Sequence, residues 1–128
     1  MREETFTVTA RGIGKPDYSR TVSSNEAIQS AESTTALGIA GTVSGTSRDC
    51  LNYAEFCVSC FADQAGTLYV ENSVDGVTWR THDTIAVAAS TPVNRVYAVT
   101  MRYNRVRYLN GAVGQTAFEL VTIRRPIG

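Results

Sequence analysis

The stretch "ADQAGTLYVENSVDGVTW", residues Ala62–Trp79, has the pattern of a β-strand held between two tight turns. Its centre alternates, so Leu68 and Val70 should face one side of a sheet. Tyr69 and Glu71 should then face the other side. In the flanking segments "DQAG" and "SVDG", Asp can accept backbone N–H bonds and Gly can supply a positive φ. The stretch therefore predicts a β-hairpin.

Similar patterns recur along the chain after residue 50. Trp79 is expected to begin the return strand of the hairpin and to cover one end of the core. Between the strand patterns lie short polar turns, with neither an amphipathic helix of useful length nor a βαβ alternation. These features predict an all-β chain, an antiparallel β-sandwich or jelly-roll-like single domain. The predicted strands are Tyr53–Ala62, Thr67–Ser73, Asp83–Ala89, Arg95–Tyr103, Arg105–Asn110 and Thr116–Arg124.

The first 50 residues differ from the rest in composition. Apart from "ETFTVTA" and "YSRTVSS", they are poor in large apolar side chains and rich in Ser, Thr, Ala and Gly. A capping box at Ser23 and Glu26 predicts one short helix, from Asn25 to about Glu32. We therefore expect residues 1–50 to form an N-terminal arm with accessory strands, lying on the rest of the domain or on a neighbouring chain. Residues 51–128 should form the sandwich core.

Charge and hydropathy bound the class of partner. The chain has 128 residues, with 12 Lys+Arg and 12 Asp+Glu, so its formal net charge is zero. Neither nucleic acid nor an anionic membrane is an expected partner of a neutral chain. No apolar run approaches the roughly 20 residues that span a bilayer. The start lacks the apolar core of a secretory signal, so we expect the protein to be made in a cytoplasm.

The cysteines and the histidine offer little chemistry. "CVSC" has metal-knuckle spacing, but Cys57 and Cys60 lie in a strand pattern, where residues three apart point to opposite faces. We expect reduced, buried thiols and neither a metal nor a cofactor. A hydrolase would have to use His82, and the adjacent Asp83 would diverge from it on a strand. A surface histidine, and a protein that is not an enzyme, is the favoured interpretation.

Carboxylates and aromatic residues leave a glycan site open. Nothing in the sequence makes two of Asp63, Glu71 and Asp75 converge as a glycosidase pair, and calcium would need denser oxygen ligands. Tyr69 and Trp79, with Asp75 nearby, could instead form a glycan-binding surface. Aromatic residues in sandwiches more often form the core or cross-strand pairs, so both alternatives stand.

Arginines concentrate in "MRYNRVRYLN". Arg105 and Arg107 should share one face of a strand, with Arg102 close by, and Val106 and Tyr108 should face the other way. Such a row can pair with carboxylates of a neighbouring subunit, or it can be an ordinary solvated face. We regard these three arginines as candidate contacts to a partner.

Two segments, "FADQAGTLYVENSVDGVTW" and "RVRYLNGAVGQTAFEL", resemble a small all-β module of virion proteins from tailed bacteriophages. The resemblance covers about residues 56–123 and brings no catalytic residues. It implies a virion-surface protein, and we expect a capsid decoration protein that binds the major capsid protein lattice as a homo-oligomer, for example a trimer. The alternative is a head-spike or tail-surface module that binds host glycans. The matching positions are Asp63, Gln64, Gly66, Thr67, Leu68, Ser73, Asp75, Gly76, Trp79, Arg105, Arg107, Tyr108, Asn110, Gly111, Ala112, Gln115, Thr116 and Phe118.

Overall fold

The computed structural model of the protein describes residues 27–126, and this part of the chain consists of β-strands and the loops between them. Within it no helix is long and apolar enough to cross a membrane. The strands are β1 (Ile28–Ser33), β2 (Thr42–Ser44), β3 (Arg48–Asp49), β4 (Glu55–Ala62), β5 (Gly66–Ser73), β6 (Arg80–Val87), β7 (Val93–Ala98), β8 (Tyr103–Asn110) and β9 (Phe118–Arg125).

The strands form two antiparallel sheets. The four-stranded sheet has the order β1-β9-β4-β7, and the five-stranded sheet has the order β2-β8-β5-β6, with β3 also paired to β8. The order is nested, because early strands pair with late ones and the middle strands pair with one another. The predicted all-β antiparallel sandwich is confirmed.

The core lies between the two sheets. Phe56 and Leu120 of the four-stranded sheet and Leu68, Val70 and Val106 of the five-stranded sheet belong to one buried cluster. Leu68 and Val70 are fully buried, as the alternation of the opening stretch predicts. Apolar contact between the inward faces therefore holds the sheets together.

Gly66 has a different role from the predicted one. It is not among the glycines with positive φ, whereas Gly76 has a φ of 78°. A Cβ at Gly66 would collide with the buried ring and hydroxyl of Tyr108 and would lie 2.8 Å from the carbonyl oxygen of Leu109. Gly66 is thus required for the close approach of β8, and only the second turn of the hairpin uses a left-handed glycine.

The predicted helix from Asn25 to about Glu32 is wrong for the residues of this range that the structure describes. Ile28–Ser33 is the strand β1, antiparallel to β9, while Asn25 lies outside the described residues. Pairing with β9 outweighs a local helix preference, since propensity is a weak term beside tertiary packing. The register shifts between Ala31 and Ser33, which places Glu32 in a bulge.

The predicted strand Arg95–Tyr103 is in fact the end of one strand and the start of another. β7 ends at Ala98 and β8 begins at Tyr103. In the connection, the N–H of Val99 donates to the carbonyl oxygen of Ala54 at 2.8 Å. The turn contains neither Gly nor Pro, so its sequence carried no turn signal.

Two carboxylates bridge the open sides of the sandwich. On one side Glu32 of β1 accepts bonds from Arg48 Nε at 2.8 Å and from the N–H of Thr46 at 3.1 Å, both near the edge of the five-stranded sheet. On the other side the hydroxyl of Tyr97 in β7 donates to Asp83 Oδ2 in β6 at 2.7 Å. We call these two contacts the cross-sheet bridges.

Residues 28–49 are part of both sheets through β1, β2 and β3. They therefore lie on the rest of the domain, and the division of the chain at residue 50 stays a prediction. The segments "ETFTVTA" and "YSRTVSS" lie outside the described residues. Ile28 of β1 is opposite Arg124 of β9, so the start of the first described strand lies beside the end of the last one.

Candidate functional site

The outer face of the five-stranded sheet carries a row of stacked side chains. The Arg105 guanidinium lies over the Trp79 ring, with its carbon 4.2 Å from the ring centre. The Arg107 guanidinium lies in the same way over the Tyr69 ring at 4.1 Å. Glu71 lies between the two arginines and contacts both. We call these residues, Trp79, Arg105, Glu71, Arg107 and Tyr69, the arginine ladder.

The pairing of β5 with β8 builds this ladder. Tyr69 is opposite Arg107, and Glu71 is opposite Arg105. Because side chains alternate along a strand, all four point away from the core. A register shift after Val70 in the pairing of β5 with β6 marks a bulge beside Glu71. The predicted shared face of Arg105 and Arg107 is what this register produces.

Glu71 is the buried centre of the arginine ladder. Its side chain is only 8% exposed, and its Oε1 accepts from Arg105 Nε at 2.7 Å. Its Oε2 accepts from Arg107 Nε at 3.2 Å. One carboxylate therefore serves two guanidiniums, which leaves one positive charge on a face that is held rigid by ring stacking.

The aromatic candidates are ladder components. Trp79 is half-buried just before β6, and it does not belong to the residues that pack against the core. The expectation that it covers one end of the core is thus wrong, because the Arg105 guanidinium holds it on the outer face. Tyr69 is held in the same way by Arg107.

Arg102 lies apart from the ladder. It precedes β8, and its guanidinium forms a two-pronged ion pair with Asp49, from Nε to Oδ1 at 3.1 Å and from Nη2 to Oδ2 at 2.9 Å. Both side chains are nearly half exposed, so solvent screens this pair. Of the three candidate arginines, the structure brings together Arg105 and Arg107 but not Arg102.

Asp75 serves the hairpin turn. Its Oδ1 accepts from the Ser73 hydroxyl at 3.0 Å and from the N–H groups of Val77 and Thr78 at 2.9 Å. The backbone bonds from Thr78 and Val77, with the Ser73 hydroxyl, lower the pKa of Asp75 to about 2. This carboxylate borders an open cleft of about 290 Å³ that also touches Arg80 and Met101. The Oδ1 atom of Asp75 is thus occupied by hydrogen bonds within the turn.

The candidates for catalysis do not converge. His82 is exposed on β6, and its ring meets the edge of Tyr97 at 5.3 Å between centroids. Asp83 accepts from the Tyr97 hydroxyl and so does not orient the imidazole. Asp63 caps another loop by accepting from the N–H of Thr116 at 3.0 Å.

The thiols of Cys50, Cys57 and Cys60 are buried and free. Burial raises the pKa of Cys60 to about 12 and also raises the pKa values of Cys50 and Cys57. In residues 27–126 no three His, Cys, Asp or Glu side chains are grouped as a metal site would need. Cys50 and Cys60 belong to the core cluster as small apolar groups, whereas Cys57 lies on the other face of β4.

Sequence reasoning missed the roles of Glu71 and Glu32. The alternation predicts that Glu71 shares the face of Tyr69, but its arginine partners lie 34 and 36 residues away in the chain. Glu32 was placed in a helix, whereas it accepts from Arg48 across the sandwich. A Glu directly after Leu68, Tyr69 and Val70 is the available signal for Glu71, while the sequence offers none for Glu32.

The chain is a nested antiparallel β-sandwich, and residues 18–124 match the family described as "Uncharacterised protein YqxG N-terminal domain". This match covers most of the chain, so the protein belongs to that family.

A similar protein belongs to a phage-like element. Over 62 residues the chain is 40% identical to "Phage-like element PBSX protein XepA" of Bacillus subtilis (strain 168), covering 47% of this chain and 22% of that protein. The crystal structure of PBSX exported protein XepA matches with a TM-score of 0.73 at 26% identity, over 79% of this chain and 38% of that one. The chain thus spans well under half of XepA, and the similarity associates it with phage elements.

A more distant likeness concerns the fold alone. A chain from the structure described as "Bacillus endospore appendages form a novel family of disulfide-linked pili" matches with a TM-score of 0.50 at 16% identity. The match covers 88% of this chain and 99% of that one. It supports the sandwich architecture.

Proposed function

We propose that the protein is a non-enzymatic structural component of a phage-type particle, and that it acts as a capsid decoration protein on the outer shell. The observation that carries the proposal is the similarity of its sandwich to XepA of the PBSX phage-like element. The phage-module resemblance of the sequence points the same way. XepA is described as exported, and we place this protein outside the cell, on the virion surface.

The shape and chemistry of the described residues support a binding role. We interpret the nested strand order as a jelly roll, an architecture that viral capsid domains use. The side chains of the arginine ladder are fixed by stacking and by Glu71, so little side-chain entropy is lost when a partner covers them. Its partner in this proposal is the major capsid protein lattice.

The glycan alternative is less well supported. A sugar ring stacks on an open aromatic face, and here guanidiniums lie over Tyr69 and Trp79. The third candidate, Asp75, holds the N–H groups of its own turn. A glycan array probed with the purified protein and with Trp79→Ala would revive this alternative if binding appeared and was lost in the variant.

We further propose that the protein is a closed homo-oligomer, with a trimer as the expected form. In the described part, β1 and β7 end one sheet and β2 and β6 end the other, so strand edges are left that a ring of copies would cover. Native mass spectrometry measures this directly. A monomer at micromolar concentration would contradict it.

The decisive experiment for the main proposal counts copies in purified particles of the phage that encodes the chain. Quantitative mass spectrometry should find it in shell-like numbers, in proportion to the major capsid protein. Particles made without it should recover it when the purified protein is added and the mixture is sedimented. A handful of copies would place it at a vertex or in the tail, and its absence from particles would refute the proposal.

A deletion can also test the N-terminal arm. Removing residues 1–50 would take β1, β2 and β3 out of both sheets, so it would disturb the fold itself. Removing residues 1–26 leaves every described strand in place. If this shorter chain binds capsids as the full chain does, the arm is not the attachment device.

A further inference from the structure

We propose that the outward ends of Arg105 and Arg107 form a binding site for a carboxylate side chain of an acidic partner protein. The inference rests on the proposed function and names the chemistry by which the partner is held.

Each arginine uses one edge of its guanidinium inside the chain. Glu71 contacts Arg105 through Nε at 2.7 Å and Arg107 through Nε at 3.2 Å. Within residues 27–126 neither guanidinium makes a hydrogen bond through its Nη atoms. The two Nη groups of a guanidinium can pair end-on and two-pronged with a carboxylate, so this edge of each arginine is left for another molecule.

The two guanidiniums are also held in place. The ring of Trp79 supports Arg105 and the ring of Tyr69 supports Arg107. Both arginine side chains are partly exposed, at 26% and 32%, and so reach solvent without being fully hydrated. A partly desolvated and fixed donor pair binds an anion better than two mobile surface arginines do.

Charge selects the class of anion. Two arginines share one carboxylate, so one positive charge remains, and one further carboxylate would balance it. The chain is neutral overall, which disfavours a polyanion such as nucleic acid. Ser44 and Thr84 lie beside the ladder in register with Arg107 and Tyr69, and both are exposed. Their hydroxyls can bond a neighbouring backbone or the second carboxylate oxygen.

The first experiment is an NMR titration of the unaltered protein, observed at the Nε–H signals of arginine. The probes are a capped pentapeptide with two glutamates, its counterpart with two glutamines, and inorganic phosphate. We expect saturable shifts at Arg105 and Arg107 with the glutamate peptide alone. No shift at these signals would overturn the inference, and phosphate binding equal to that of the glutamate peptide would overturn the carboxylate assignment.

Variants separate the paired geometry from charge. Arg107→Lys keeps the positive charge but lacks the planar fork, and it should weaken glutamate-peptide binding by about tenfold. Arg95→Lys is the matched control, because Arg95 is an exposed arginine on the other sheet. Equal binding by the two variants would refute the paired-arginine site. Circular dichroism confirms that each is folded.

Capsid binding then distinguishes this inference from the proposed function. The double variant Arg105→Lys with Arg107→Lys should lose most co-sedimentation with capsids, while Arg95→Lys should retain it. Full retention by the double variant would overturn the inference and leave the decoration role standing. If the unaltered protein ignores capsids, the proposed function fails, and the peptide titration still decides whether the site binds carboxylates.

Discussion

Replacing Glu32 by glutamine should lower the free energy of unfolding by about 2 to 4 kcal/mol. The Glu32 side chain is 1% exposed. Its oxygens accept from Arg48 Nε at 2.8 Å and Nη2 at 3.0 Å, from the N–H of Thr46 at 3.1 Å, and from the Thr122 hydroxyl. Breaking a buried ion pair costs about 3 to 5 kcal/mol. The Arg48 side chain is 20% exposed, so water can hydrate its guanidinium in the variant and the cost is smaller.

Urea unfolding, followed by circular dichroism, measures this change. The expected loss corresponds to a fall in Tm of about 10 to 20 °C, with an unchanged urea m-value. Glu55→Gln is the matched control, since Glu55 pairs with Arg125 on the same sheet but both side chains are more than 40% exposed. That variant should lose less than about 1 kcal/mol. Equal losses in the two variants would refute the reasoning.

The same bridge predicts a dependence on pH. Burial alone raises the pKa of Glu32, but the bonds from Arg48, Thr122 and Thr46 outweigh it, and the pKa lies below its ordinary value. A lowered folded pKa means that the stabilisation is complete above the unfolded pKa and is lost as pH falls through the folded pKa. The difference in stability between the unaltered protein and Glu32→Gln should therefore shrink below about pH 4. A constant difference down to about pH 2 would contradict the assignment.

Three further perturbations test other features. Gly66→Ala should destabilise by about 2 kcal/mol or more through its clash with Tyr108, whereas Gly38→Ala, where a Cβ meets nothing within 4 Å, should be nearly neutral in the same melts. Carboxyl-detected NMR should find the pKa of Asp75 at about 2, and a value near 4 would mean that the turn is not formed as described. Tyr97→Phe removes the hydroxyl of the second cross-sheet bridge and should lower the free energy of unfolding by about 1 kcal/mol; an unchanged urea midpoint would contradict that role.

The strands with strong alternation could be predicted from sequence because their period is local. Leu68 and Val70 face the core, and Arg105 and Arg107 share a face, as the pattern indicates. The errors occur where distant partners decide. β1 takes its form from β9, so a plausible helix signal near Glu32 fails.

The candidate site also has features that the sequence predicts and features that it does not. Sequence identified its arginines and both of its rings, but it could not reveal that β5 lies beside β8, because strand order is set by the whole chain. The stacking of Arg105 on Trp79 and the shared carboxylate of Glu71 follow from that order. Asp75 was grouped with the rings by proximity in sequence, and its bonds instead close a turn.

The neighbouring position of Ile28 and Arg124 has a mechanical consequence. Because β1 and β9 are neighbours, the chain enters β1 and leaves β9 at one place on the sandwich. Tension applied to the chain at these two points would peel β1 from β9 one hydrogen bond after another, because the two strands would be pulled apart at their joined ends. We therefore expect the β1–β9 pair to separate before the β5–β8 pair in the other sheet.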